Sequence, residues 1–192
     1  MYHFLLKELT TDQGFSFAND LFVGAQEIIQ ICGINGAGKT SLLNLLKLKN
    51  DSFSLLSQSR EIQFYPRSLK AYLDIYKYCD SVNVDRLSFL IHQFNLHSKQ
   101  HLSVDDLSAG EYQLLKISIT LSISAPIYLL DEPFQNIHRD FIPLINDHFE
   151  ILRSAGSSLI VIDHEELLSH SSLKKIQLTR SDSLITLESF NE

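Results

Sequence analysis

Gly33 to Ser41 reads GINGAGKTS, and it fits the phosphate-binding pattern G-x-x-x-x-G-K-[ST], with Gly33, Gly38, Lys39 and Thr40 at the fixed positions. Closely spaced glycines let backbone N–H groups turn inward around a polyphosphate, with Asn35, Gly36, Ala37 and Ser41 completing the cradle. Lys39 supplies a point charge to the β- and γ-phosphates, and Thr40 a hydroxyl for Mg²⁺. The bland alternative is a glycine-rich turn that happens to precede a lysine. The flanks decide against it. Ile28–Cys32 is a short β-branched run before the loop, and Ser41–Leu46 has helical spacing after it. Strand, loop and helix is the order such a cradle requires.

Outward from the loop, Tyr2–Leu6 and Phe15–Val23 read as strands around the polar stretch Thr10–Gly14. Glu61–Tyr65 reads as another strand, closed by Pro66. From Ser68 to about His101 the apolar residues Leu69, Tyr72, Leu73, Tyr76, Leu87, Leu90, Ile91 and Phe94 recur at helical spacing, which predicts an inserted helical region. A helix follows Gly110. Pro126–Asp131 and Ser158–Asp163 read as buried strands, separated by a helix over Phe141–Leu152. Lys174–Leu178 and Leu184–Leu187 read as a terminal hairpin. Strands alternating with helices predict an α/β fold with a parallel core sheet covered on both faces.

The chain has 192 residues, 44% of them hydrophobic and 20% charged, which suits one globular domain with room for a subdomain. Its net charge of −7 argues against a broad nucleic-acid surface. Two cysteines, Cys32 and Cys79, make no disulfide framework, and Cys32 reads as a buried reduced thiol. No apolar run is long enough for a membrane span, and Lys7 and Glu8 cut short any secretory signal. The expectation is a cytoplasmic protein, or one peripheral to a membrane face.

Asp131 and Glu132 follow the strand Ile127–Leu130. Carboxylates at the carboxyl end of a buried strand sit where α/β sheets bind ligands. There Asp131 can hold Mg²⁺ and Glu132 can orient an attacking water as general base. Ser108 is a natural N-cap with Glu111 three residues on, which is ordinary capping taken alone. The functional alternative is an anion at the helix start near Gly110. His164, after the strand Leu159–Asp163, can donate to a γ-phosphate or serve as a loop residue.

These pieces stand in the order GINGAGKTS, helical region, LSAGE, IYLLDEP and IDHE. That order resembles the ATP-binding subunits of ABC transporters over essentially the whole chain, and LSAGE directly before the IYLLDEP strand carries the resemblance. It implies a P-loop NTPase fold, a RecA-like ABC ATPase core with N-terminal antiparallel strands and an inserted α-helical subdomain. The implied division puts the core at residues 1–66 and 107–192, and the subdomain at about 67–106. Two copies would pair head to tail around ATP and Mg²⁺. The loop, Asp131, Glu132 and His164 of one copy would face Ser108 and Gly110 of the other. Glu132 and His164 would be catalytic, and Thr40 and Asp131 would serve the metal. A separate integral membrane permease would be the load, on the cytoplasmic face of the inner membrane.

LSAGE and LDEPF also resemble the ATP-binding subunit of the cytochrome c maturation haem exporter. Another small exporter, a lipoprotein-release system and a weakly hydrolysing regulatory protein stand as alternatives. The chain departs from the family pattern at His138, where the D-loop has aspartate, and at Glu111 for the signature glutamine. After the strand Glu61–Tyr65 the Q-loop glutamine is missing; Gln63 lies inside the strand, and Tyr65 and Arg67 take the Q-loop positions. Phe15 and Phe17 are both candidates to stack on adenine.

Overall fold

The β-branched runs form the centre of a single sheet, and their alternation decides what lies on each side. The computed structural model describes residues 1–11, 14–57, 68–163 and 173–190. In chain order come β1 (Tyr2–Phe4), β2 (Ser16–Phe17), β3 (Leu21–Val23), β4 (Ile28–Cys32), α1 (Lys39–Lys49), β5 (Ser54–Leu56), α2 (Leu69–Tyr76) and α3 (Val84–Gln93). Then follow α4 (Ala109–Ser122), β6 (Ile127–Asp131), α5 (Ile142–Ser154), β7 (Ser158–Ile162), β8 (Leu173–Ser181) and β9 (Leu184–Phe190). Among the described residues, seven strands make one sheet in the order β2-β9-β8-β4-β7-β6-β5, and β1 pairs separately with β3. The strands β8, β4, β7, β6 and β5 run parallel, and β9 returns antiparallel to β8 as the expected hairpin.

Successive strand residues point to opposite faces, so each apolar run feeds two cores. Ile28, Tyr128, Leu130, Leu159 and Val161 join α2, α3, α4 and α5 on one face. Ile29, Ile31, Ile127, Leu129, Ile160 and Ile162 meet Leu42, Leu43 and Leu46 of α1 on the other. Both faces being dry explains why these strands read as continuous apolar runs rather than alternating ones.

The structure corrects two expectations and adds one strand. Phe15–Val23 is not one strand: it bends over Ala18–Asp20, so that β2 pairs with β9 and β3 with β1. The bend is held by Ala18 N–H donating to the Ile185 carbonyl at 2.7 Å and by the Asn19 side chain accepting from Leu187 N–H at 3.3 Å. β5 was not legible, because three residues are too few to show a period. Cys32 is half-buried rather than fully buried, and neither cysteine is in a disulfide. The strand expected over Glu61–Tyr65, with Gln63, Tyr65 and Arg67, lies outside the described residues.

The helices between Ser68 and His101 form where the spacing puts them. Ser68 caps α2 by accepting from Ala71 N–H at 3.2 Å, and Asn83 caps α3 by accepting from Arg86 N–H at 2.8 Å. Leu69, Leu73, Leu87, Leu90 and Ile91 then pack into the same core as α4 and α5.

On α5, His148 is buried with Nε2 at 2.6 Å from Gln93 Oε1 of α3. An amide oxygen only accepts, so Nε2 carries the hydrogen. Burial, then the Arg86 charge, pull the imidazole below its ordinary value of 6.5, with Asp147 opposing them. A depressed histidine contributes stability above its unfolded pKa that is lost as pH falls through the folded one. Urea midpoints should therefore drop as pH falls from about 7 to 5, and His148→Gln should flatten that slope. An equal slope in both chains would sink this assignment.

Candidate active site

At the end of β4 the chain turns through Gly33–Gly38 into α1. A Cβ on Gly33 would lie 2.4 Å from the Leu178 carbonyl of β8, at φ +152, so the loop's first residue must be glycine. Lys39 is 7% exposed, and its ammonium donates back to the carbonyls of Gly33 at 2.6 Å and Ile34 at 3.1 Å. Burial pulls its pKa below the ordinary value, opposed by the charges of Glu132 and Asp131. The first turn of α1 carries no acidic side chain, which leaves its N–H groups and dipole to an anion. A cleft of about 480 Å³ opens here, lined by Asn35, Lys39, Thr40 and Ser41 on one rim and Glu132 and Gln135 on the other.

Asp131, the last residue of β6, is 2% exposed. Burial pushes its carboxyl up, and a hydrogen bond from the Thr40 hydroxyl acts against that. Glu132 then takes a left-handed φ of +48, strain of about 1 kcal/mol for a residue with a Cβ. Its N–H donates to the Ile162 carbonyl at 2.8 Å, and the Gln113 side-chain amide donates to the carbonyls of Glu132 at 3.1 Å and Pro133 at 3.2 Å. Its carboxylate accepts from the Gln135 amide at 2.9 Å.

The helix start carries a capping box. Ser108 Oγ accepts from Glu111 N–H at 3.3 Å, Ser108 N–H donates to Glu111 Oε2 at 2.9 Å, and Lys99 pairs with the other Glu111 oxygen. Capping is therefore part of what Ser108 does, while the residue stays exposed. A Cβ on Gly110 would meet the Asn136 carbonyl at 2.6 Å, so the turn after Glu132 packs directly on α4. The structure thus gathers the loop and Glu132 into one cleft, with Asp131 buried beneath it against Thr40. Ser108 and Gly110 lie outside its lining. His164 falls outside the described residues.

The two aromatic candidates part company. Phe17 is 3% exposed and belongs to the core. Phe15 is half-buried, with the Arg180 guanidinium 4.5 Å from its ring centre, and Arg180 also donates to the Gly36 carbonyl at 2.9 Å. Sequence reasoning missed Arg180, whose place in the hairpin gives no signal, and Gln135. It also missed Gln113, although one buried amide among Leu114, Leu115 and Ile117 was a signal in plain sight.

A glycine-rich loop opening a helix, beside a buried aspartate at the end of the next strand but one, defines a P-loop nucleotide-binding protein. The family profile described as ABC transporter matches residues 19–135. The chain belongs to the ABC transporter family, as an ATP-hydrolysing, nucleotide-binding subunit. It is 27% identical over 186 residues to the "Cytochrome c biogenesis ATP-binding export protein CcmA" of Colwellia psychrerythraea, covering 84% of each chain. Against the protein of the same name from Escherichia coli K12 it is 25% identical, covering 91% of this chain and 92% of the other. A solved "ATP binding subunit of ABC transporter" superposes with a TM-score of 0.71 at 16% identity, covering 83% of this chain and 78% of that one. No helix among the described residues is long and apolar enough to cross a membrane.

Proposed function

We propose that this chain is the ATP-hydrolysing subunit of an exporter serving cytochrome c biogenesis, with haem as the cargo, driving a separate integral membrane permease. The observation that carries it is the similarity to cytochrome c biogenesis ATP-binding export proteins along nine-tenths of both chains. In this reading the protein sits peripherally on the cytoplasmic face of the inner membrane, binds no nucleic acid, and works as a homodimer.

Within the site, Lys39 leaves the Gly33 and Ile34 carbonyls for the β- and γ-phosphates, and the N–H groups of Asn35 to Ser41 bind the rest. The Thr40 hydroxyl and Asp131 carboxylate already touch, and hard oxygen donors of this kind suit Mg²⁺. When bound there, Mg²⁺ would neutralise charge developing between the β- and γ-phosphates. Glu132 takes the proton of the attacking water, held in aim by Gln135. His164 reads the γ-phosphate. Ser108 and Gly110, apart from their own cleft, complete the site of a second copy.

Deleting the gene in its host tests the cargo. Haem-stained gels should lose the c-type cytochromes, and an allele carrying Glu132→Gln should not restore them. Normal c-type cytochromes in the deletion strain would overturn the export assignment.

A further inference from the structure

Gln113 lies one turn into α4, 6% exposed, with its amide inserted between two backbone carbonyls of the catalytic turn. We propose that Gln113 is a positioning residue for Glu132, and that through it the helix start offered to a second copy's nucleotide moves as one body with the hydrolytic carboxylate of its own chain. The inference rests on the reading above of Glu132 and of the head-to-tail pair.

Three features carry it. The amide donates to the carbonyls of the two successive peptides that flank Pro133, the first of which leads directly out of Glu132, so it holds the backbone from which the Glu132 side chain leaves. Glu132 sits at φ +48, a conformation that lasts only where neighbours hold it, and Gln113 is one of those neighbours. The same segment is clamped again four residues on, where the Asn136 carbonyl fits against Gly110 with no room for a Cβ. Beyond these contacts Leu114, Leu115, Ile117 and Leu121 lock α4 into the core. A displacement at Ser108 and Gly110 therefore cannot be absorbed by the helix. It reaches residues 132–136, and the state of one nucleotide site becomes legible at the other.

Gln113→Met keeps the length of the side chain and removes the donors. In full-length protein, ATP turnover should fall about tenfold or more, with the nucleotide Kd within about twofold, the split expected when only the transition state loses support. The Hill coefficient of the ATP dependence should fall towards one. Combined with Glu132→Gln, the substitution should lower the residual rate no further, because both act through one group. Should Gln113→Met fail to fold, Gln113→Asn carries the same test, keeping the amide and shortening its reach. Wild-type turnover and cooperativity in the folded variant, beside an inactive Glu132→Gln, would overturn the coupling alone. So would a further loss in the double variant equal to that in the wild-type background. A Glu132→Gln chain that turns over at the wild-type rate would instead bring down the reading beneath it.

Discussion

Glu132→Gln is expected to lower ATP turnover by about 10²–10⁴-fold, the range for removing a positioned general base, while nucleotide binding stays within about twofold. The substitution keeps the shape of the side chain. It also keeps an oxygen that can accept from the Gln135 amide, and it leaves the backbone bonds to Ile162 and Gln113 untouched. What it removes is the ability to take a proton from water. The γ-phosphate then persists, so in ATP and Mg²⁺ the variant should elute as a dimer in gel filtration while wild type returns to monomer. Phosphate release and elution volume check the two halves separately. Turnover within about threefold of wild type would mean that the base is another group.

That experiment also bears on why the cleft looks incomplete. The loop on one side and Glu132 and Gln135 on the other form two rims of a cavity of about 480 Å³. The helix start at Ser108 faces elsewhere, with its hydroxyl exposed. In the proposed head-to-tail pair the helix start of each chain would cover the cleft of the other, and a loss of turnover would then trap the pair instead of dissolving it.

Much of this is legible in the sequence alone, for reasons that differ by element. The runs Ile28–Cys32 and Ile127–Asp131 were clear because strands buried on both faces are apolar without interruption. The loop was clear because phosphate geometry dictates its spacing. Ser108 and Glu111 announced a helix start, which the capping box bears out. Sequence could not say which way that start faces, since capping is local and orientation is tertiary. β5 escaped because Ser54–Leu56, at three residues, is too short to repeat a period. The division of Phe15–Val23 escaped because its cause lies some 165 residues downstream, in the Ile185 carbonyl. Arg180 and Phe15 meet the loop only through the terminal hairpin, a contact that no local pattern encodes.

Lys39→Ala should remove nucleotide binding with little cost to the fold. Hydrogen bonds to charged groups are worth about 1.5–3 kcal/mol each. Losing two of them to phosphate oxygens weakens ATP by about two orders of magnitude or more. The effect on the free protein is a balance. Alanine removes an ammonium whose burial is unfavourable enough to pull its pKa down. It also leaves the carbonyls of Gly33 and Ile34 without their donor. Ile34 is 75% exposed and the loop lies at the surface, so water replaces that donor and the two changes largely offset. Lys39→Arg should not rescue binding, because the broad guanidinium cannot occupy a position that is 7% exposed beneath the loop. Thermal melts separate binding from folding directly. ATP at about 100 times its Kd adds about 2.7 kcal/mol to wild type, which for a chain of this size reads as a rise of several degrees. The variant should melt close to ligand-free wild type and gain no more than about 0.4 kcal/mol at the same ATP concentration. A shift equal to that of wild type would place the phosphate away from this loop.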